Sequence, residues 1–345
     1  MDINRSKKVS TFIIAEVGIN HNGDLNIAKK MIDKAKEAGA DCVKFQTFKA
    51  TEFVSDPTQT YTYKSQGKEI TESMQTMFQR YEFQDNDWIE IINYCKQQKI
   101  QFCSTAQNAS DLDYLFTLTD LPFIKIGSDD LTNLELLSYY AKKQKPMIIS
   151  AGMAYASEIE DAILSIRESG NHDITVLHCI SSYPTQDFEV NLKKIQSIKN
   201  TFGVKVGFSD HTFGNAAAIG AICFGALVIE KHFTLNNNMV GPDHWFSITP
   251  KELKEYVSNI RFIEKAIGKS MLQPTEKELD MRKIARRKIV GNQNLNIGDI
   301  ITSQNTSFKR AEEDGLAPKE LKYILNRRLK KSIKKDTVIT LEDCE

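Results

Sequence analysis

The sequence predicts an α/β protein, a TIM (β/α)8 barrel followed by a small β-rich domain. Up to residue 268, eight short apolar runs alternate with eight longer amphipathic stretches. Polar residues recur at the ends of all eight runs, where a barrel gathers its chemistry. Beyond Gly268 the alternation gives way to short strand-like pieces with Gly and Asn turns. A chain of 345 residues has room for a barrel and a second, smaller domain.

The apolar runs lie near 12–17, 41–47, 100–104, 122–127, 146–150, 174–180, 204–209 and 226–232. The helix-like stretches lie near 24–38, 85–98, 108–118, 132–143, 154–169, 190–200, 214–224 and 250–267. Gly39, Asp85, Gly170 with Asn171, and Gly225 punctuate them where helices start or stop. Continuous apolar strands such as TVLHCI suit parallel strands covered on both faces. An open doubly wound sheet shares the alternation, so the count of eight carries the barrel.

One connection is too long. Residues 48–84 are polar and aromatic with no strong strand, and read as a functional loop whose MQTMFQRYEF end has room for a helical turn. The barrel is expected over 1–268, a linker over 269–284 and the small domain over 285–345. From Arg282 onward the chain holds 15 Lys/Arg against 9 Asp/Glu, a solvated basic face or a hold for an acidic ligand.

Lys plus Arg total 45 and Asp plus Glu total 45, so no global field favours nucleic acid or an anionic membrane. Six scattered cysteines without a C-x-x-C pair suggest reduced thiols and a cytoplasmic protein. The polar opening MDINRSKKVS and a first run broken by Glu16 fit neither a signal h-region nor a membrane span. There is no P-loop, G-x-G-x-x-G, G-x-S-x-G or H-E-x-x-H motif, so nucleotide, Rossmann, serine-hydrolase and zincin chemistries lack their signatures.

The run ends present Glu16, Asn20 and His21; Lys44 and Gln46; Ser104 and Thr105; Lys125 and Ser128; Ser150; His178, Ser181 and Ser182; Ser209, Asp210 and His211; and Glu230, Lys231 and His232. A buried strand lysine needs an anion. Lys44 and Lys125, with neighbouring hydroxyls, make a cup for phosphate or carboxylate, unless each pairs with a structural carboxylate such as Glu16 or Glu230. His211 and His232 end adjacent strands and suit one divalent ion, although a lone strand-end histidine is more often just hydrogen-bonded. A lysine Schiff base stays open at this point.

The strings FIIAEVGINHNGDLNIAKKMI (12–32), GADCVKFQTFKA (39–50), FIKIGS (123–128), GFSDHTFG (207–214), VIEKHFTL (228–235) and GPDH (241–244) together resemble the bacterial sialic acid (nonulosonate) synthases. ARRKIV, IGDIIT, DGLAPKEL and IKKDTVIT resemble the antifreeze-like, or SAF, domain that family carries. The resemblance implies condensation of phosphoenolpyruvate with an N-acetylated amino sugar, N-acetylmannosamine by default. It implies phosphoenolpyruvate on Lys44, Thr105, Lys125, Ser128, Ser150 and Ser209, with Glu16, Lys44 and Lys125 catalytic. It places Mn2+ or Mg2+ on His211 and His232, and the sugar near Gln46, Asp130, Tyr183 and Asp243. Arg310 would come from a partner subunit, which makes a domain-swapped homodimer.

The chain departs from the family pattern mostly around the sugar. Gly127-Ser128-Asp129-Asp130 stands where the family commonly reads G-S-G-E, which shortens one acid and adds another. Ser104-Thr105-Ala106-Gln107 replaces S-T-P-F, and Ala311-Glu312-Glu313 follows Arg310 in place of a proline and a glycine. Alternatives are the same chemistry on a 2,4-diacetamido-trideoxyhexose, giving legionaminic or pseudaminic acid, a Schiff-base aldolase on Lys44 or Lys125, and a binding protein with a decayed site.

Overall fold

Eight parallel strands wind around a common interior in the computed structural model, which describes residues 10–345. The polar opening, 1–9, lies outside the described residues. In chain order the elements begin with β1 (Phe12–Gly18), α1 (Leu25–Ala38), β2 (Cys42–Thr47) and α2 (Ala50–Phe53). A hairpin of β3 (Thr60–Ser65) and β4 (Lys68–Ser73) follows, then α3 (Met74–Gln79) and α4 (Asp85–Gln98). The βα units continue with β5 (Gln101–Ala106), α5 (Ala109–Leu118), β6 (Ile124–Ile126), α6 (Leu134–Ala141), β7 (Met147–Ser150) and α7 (Ala156–Glu168). They close with β8 (Ile174–Cys179), α8 (Lys193–Phe202), β9 (Lys205–Asp210), α9 (Ala216–Cys223), β10 (Val228–His232) and α10 (Pro250–Ala266). The eight runs and eight helical stretches expected from the sequence are all present.

Hydrogen bonds join the strands in the order β5-β2-β1-β10-β9-β8-β7-β6. At the seam between β5 and β6, Cys103 Sγ approaches Phe123 O at 3.6 Å. Local chemistry sets the helix ends. Asp24 accepts from Asn26 N and Ile27 N at the start of α1, and Gly39 ends it at φ 87°. Thr249 and Glu252 form a capping box on α10, with Pro250 in its first turn. Each helix buries one stripe, Ala28, Met31, Ile32, Ala35 and Ala38 on α1 and Leu253, Tyr256, Val257 and Ile260 on α10. Burying each of the larger side chains contributes about 1.5–3 kcal/mol.

The side chains facing the interior arrange by the two-residue period of a strand. A floor of Ile14, Cys42, Cys103, Phe123, Ile148, Leu177 and Val228 packs as its own apolar cluster with Phe12. Gly207 completes that layer on β9, because a Cβ there would sit 2.4 Å from Leu177 Cδ2 and 2.5 Å from Val228 O. Two residues further along each strand the layer turns polar, and this positions the site.

The long connection is not a strand-free loop. Residues 60–73 pair as an antiparallel hairpin around Gln66 and Gly67, whose φ values of 50° and 77° suit a tight hairpin turn. The following α3 matches the helical turn expected there. Gln66 Nε2 donates to Asn238 O at 2.8 Å, Gly241 N donates to Ser65 Oγ at 3.1 Å, and Lys64 Nζ lies 4.8 Å from the Trp245 ring centroid. The hairpin is thereby tied to the segment after β10.

The described residues divide into two compact units, with the boundary between Gly268 and Lys269. The second unit opens with a helix, α11 (Glu276–Ala285), inside the stretch expected to be a linker. Thr275 and Glu278 cap it. There follow β11 (Arg287–Gly291), paired antiparallel with β12 (Thr306–Arg310), and a core of Ile289, Leu295, Ile301, Ile324, Leu329, Ile333, Ile339 and Cys344. All six cysteines are free thiols, and among the described residues no helix is long and apolar enough to cross a membrane.

Candidate active site

The polar layer above the floor consists of Glu16, Lys44, Thr105, Lys125, Ser150, Cys179, Ser209 and Glu230, one from each strand, all lining a cavity of about 860 Å³. Four of these are charged and buried. Lys44 Nζ lies 2.7 Å from Glu16 Oε2 and 3.6 Å from Glu230 Oε2, and Lys125 Nζ lies 3.7 Å from Glu230 Oε1. Lys44 donates to Thr105 Oγ1 at 2.9 Å, Lys125 to Ser150 Oγ at 2.8 Å, and Ser209 to Glu230 Oε1 at 2.9 Å.

The two lysines thus have both of the partners weighed from sequence, and the cluster is one network. Burial raises Glu16 to about 7, with Lys44 working against it. Burial also raises Glu230, but Lys125 and Lys44 outweigh it and hold that carboxyl well below its usual value. Lys44 is held above its usual range, because Glu16 and Glu230 outweigh a desolvation that favours the neutral amine. A charged Lys44 is a poor Schiff-base nucleophile, which removes the support for an aldolase built on it.

One step higher, the layer holds Gln46, Gly127, His211 and His232. A Cβ built on Gly18 would lie 3.4 Å from Glu16 Oε1, 3.6 Å from Gln46 Nε2 and 3.8 Å from His232 Cε1, so three expected site residues converge there. The rings of His211 and His232 are 5.6 Å apart between centroids, and Tyr183 packs against both at 4.0 and 5.8 Å. Burial lowers His211 to about 4, and burial with His211 lowers His232 further, so both imidazoles are neutral near pH 7. His211 Nδ1 donates to Ile180 O at 2.8 Å, which leaves Nε2 with its lone pair. His232 Nδ1 is buried without a hydrogen-bond partner.

Two neutral imidazoles, one oriented by a carbonyl and one with an orphaned nitrogen, fit a divalent cation. Among the described residues no third His, Cys, Asp or Glu completes a metal cluster with them. A cation held here keeps positions open for oxygen ligands of a substrate.

Of the other expected residues, Ser128, Tyr183 and Asp243 line the cavity. Gly152 N donates to Ser128 Oγ at 2.9 Å. Burial raises the Asp243 carboxyl to about 7. Asp130 is not among the residues that line the cavity. The chain turns after Ile126 so that Asp129 faces the space, while Asp130 accepts from Asn133 Nδ2 at 3.2 Å ahead of α6. Arg310 belongs to the second unit, on β12.

The polar run ends that are out of phase serve the scaffold. His178 bonds to Val190 O through Nε2 at 2.6 Å, and His21 stacks on Phe83 at 4.1 Å while Nδ1 accepts from Gly23 N. The expected site residues did not include Glu230 or Asp129, and the functional loop expected at 48–84 was not expected to hold a hairpin. Tyr61, Tyr63, Lys64, Met77 and Phe78 wall the cavity with Trp245 and Phe246. Gln-Gly flanked by alternating Thr and Tyr was the available hairpin signal.

Comparison with known proteins gives the following. Residues 31–271 match the model of the NeuB family, and residues 286–345 match that of the SAF domain. The N,N'-diacetyllegionaminic acid synthase of Campylobacter jejuni is 40% identical over 95% of this chain and 98% of its own length. The human N-acetylneuraminate-9-phosphate synthase is 33% identical over 96% of this chain and 92% of its own. The crystal structure of the N-acetylneuraminic acid synthetase of Leptospira borgpetersenii, in complex with citrate, is similar with a TM-score of 0.71, at 31% identity, over 84% of this chain and 98% of that one.

Proposed function

The chain belongs to the NeuB family and carries a SAF domain, and on that premise we propose that it is a nonulosonate synthase. It joins phosphoenolpyruvate to N-acetylmannosamine or a related acetamido aldose, consumes water, and releases a nine-carbon keto acid and phosphate. The single observation that carries this reading is the buried cup of Lys44 and Lys125 with Thr105, Ser150 and Ser209 at the strand tips. A small substrate with two acidic groups is what such a cup can hold by fixed donors.

In this mechanism Lys44, Lys125, Thr105, Ser128, Ser150 and Ser209 hold the phosphate and carboxylate of phosphoenolpyruvate. Its methylene carbon attacks the open-chain aldehyde, water adds at the carbon bearing the phosphate ester, and the adduct expels phosphate. Glu16, with a carboxyl near neutrality beside Lys44, is placed to hold or release a proton during that addition. Gln46, Tyr183 and Asp243 orient the sugar. His211 and His232 would hold Mn2+ or Mg2+, and such a cation supplies Lewis-acid polarisation of the aldehyde oxygen.

A second acceptor, a 2,4-diacetamido-trideoxyhexose, is favoured by the apolar wall of Tyr61, Met77, Phe78, Trp245 and Phe246, which suits a methyl terminus and acetamido methyls. The same reading includes a cytoplasmic enzyme and a domain-swapped homodimer in which Arg310 serves the other copy's site. Elution as a monomer at micromolar concentration overturns the dimer. The test of the function is phosphate release from phosphoenolpyruvate with Mn2+ and each acceptor, with mass spectrometry of the product. A nonulosonic acid is the expected product, and no release with either sugar from folded protein overturns the reading.

A further inference from the structure

Two strings singled out in the sequence are only partly used by the proposed chemistry. Of N-H-N at 20–22, no residue lines the cavity; of GPDH at 241–244, Pro242 and Asp243 do, and Trp245 and Phe246 follow them there. Between these pairs His244 turns back into the scaffold and is 1% exposed. Residues 233–249 join β10 to α10 without a helix or strand of their own, apart from a bridge between Phe233 and Ile248, so side chains must fix them. Asn20 Nδ2 donates to Phe233 O and to Ser247 Oγ, both at 3.0 Å. Asn22 Nδ2 donates to Val240 O at 2.9 Å, which leaves its Oδ1 to accept from His244 Nε2 at 3.0 Å. His244 Nδ1 then accepts from Thr234 Oγ1 at 2.6 Å. Burial lowers His244 to about 4, so the neutral ring that this bonding needs is the form present near pH 7. Gly241, at φ 147°, lets the ring lie against the backbone: a Cβ there would sit 2.8 Å from His244 Cδ2 and 3.2 Å from Asn22 Oδ1.

We propose that Asn22 and His244 are positioning residues for the acceptor, a clasp that sets the wall of Asp243, Trp245 and Phe246 before any sugar arrives. This rests on the synthase reading and adds to it what holds the acceptor half of the cavity in place. The clasp reaches the site only through the segment it holds. Phe246 packs on Tyr183 at 5.0 Å and on His232 at 5.4 Å between ring centroids, so a shift of the segment disturbs the side chains around the sugar. The cup is out of its reach, because Lys44, Thr105, Lys125, Ser150 and Ser209 stand on strands. A wall held from behind needs no ordering when the sugar binds, whereas ordering a loose one weakens the sugar's affinity.

The experiment measures kcat and KM for whichever of the two acetamido sugars is turned over, and the Kd of phosphoenolpyruvate alone, in Asn22→Ala, His244→Ala and the double variant. Each single change is expected to raise the acceptor KM roughly tenfold with kcat nearly kept, and the double change little more than either, since the two residues act as one unit. The phosphoenolpyruvate Kd is expected to stay within about twofold, because the cup is a separate site. His244→Gln, whose amide can still donate to Asn22, is expected to recover most of the loss. Hydrogen exchange of the wild-type chain adds an arm in which no variant has to fold. Peptides spanning 236–247 should exchange slowly in the free enzyme and change little when the sugar is added. An unaltered acceptor KM in the folded variants, a phosphoenolpyruvate Kd that rises in step with it, or fast exchange of 236–247 in the free enzyme overturns the proposal and leaves the synthase reading intact. No turnover of either sugar by the wild-type chain, while phosphoenolpyruvate still binds, overturns that reading and the acceptor role with it.

Discussion

Strands β9 and β10 each carry two neighbouring polar residues that end in two different ion clusters, one pleat apart. On the outer face Lys231 pairs with Asp210 at 3.2 Å, and Tyr256 donates to Asp210 Oδ2 at 2.8 Å. Thr212 donates to Asp210 Oδ1 through its backbone N–H and its hydroxyl, and Lys231 donates to Thr212 O. That cluster is closed under α10. On the inner face Ser209, Glu230 and His232 meet Lys44 and Lys125, but Glu230 Oε2 and His232 Nδ1 are buried without a hydrogen-bond partner. Both clusters cost desolvation. Of these two clusters only the inner one leaves buried polar atoms without a partner, and it is the one that lines the cavity.

If that contrast is right, the two clusters respond differently to the loss of a lysine. The largest effect is expected at Lys44→Met, which should lower kcat/KM by about 10³-fold or more in a phosphate-release assay, because it removes a fixed charge from the reacting group. Lys231→Met should instead cost about 3–5 kcal/mol in urea unfolding, by stranding the buried Asp210, while phosphoenolpyruvate binding at a temperature where the variant is folded is retained. Lost binding there would break the separation between the faces. Next, phosphoenolpyruvate at a hundred times its Kd should stabilise the wild-type chain by about 2.7 kcal/mol and give Lys125→Met far less. Equal shifts would mean that the inner cluster is not where it binds.

The smallest effect is on pH. Asp243, half-buried, is raised from 3.8 to about 7, so the folded state holds its proton over that window and the unfolded state does not. Its contribution to stability is therefore best below about pH 4 and declines as pH rises toward 7. Asp243→Asn should flatten that decline in a series of thermal melts, and an unchanged slope would show that Asp243 is as solvated in the folded chain as in the unfolded one.

The strands and their helices were legible because burial on two faces leaves a continuous apolar run and burial on one face leaves a helical stripe. Phase was harder to read than position. His178 and Asp210 are as polar and as close to a strand end as Ser209 and His211, and only pairing register sends them outward. Asp129 and Asp130 lie beyond β6, where no period decides which one faces the cavity. The hairpin escaped because nearly all of its residues are exposed or half-exposed, so it offers little contrast between buried and exposed positions. Glu230 was weighed as a structural partner for a lysine; it bridges toward two, which a single chain read in one dimension does not reveal. Helix α11 has a legible capping box but buries no residue, so its apolar signal is weak.

The apolar floor makes the barrel a vessel with a blind end. Lys44 and Lys125 stand directly on Cys42 and Phe123, two residues further along their strands. Whatever occupies the cup sits below anything held nearer the hairpin. On the proposed function the donor would load before the acceptor. Turnover would then be an ordered sequence, with inhibition by phosphate competitive against phosphoenolpyruvate as its kinetic sign.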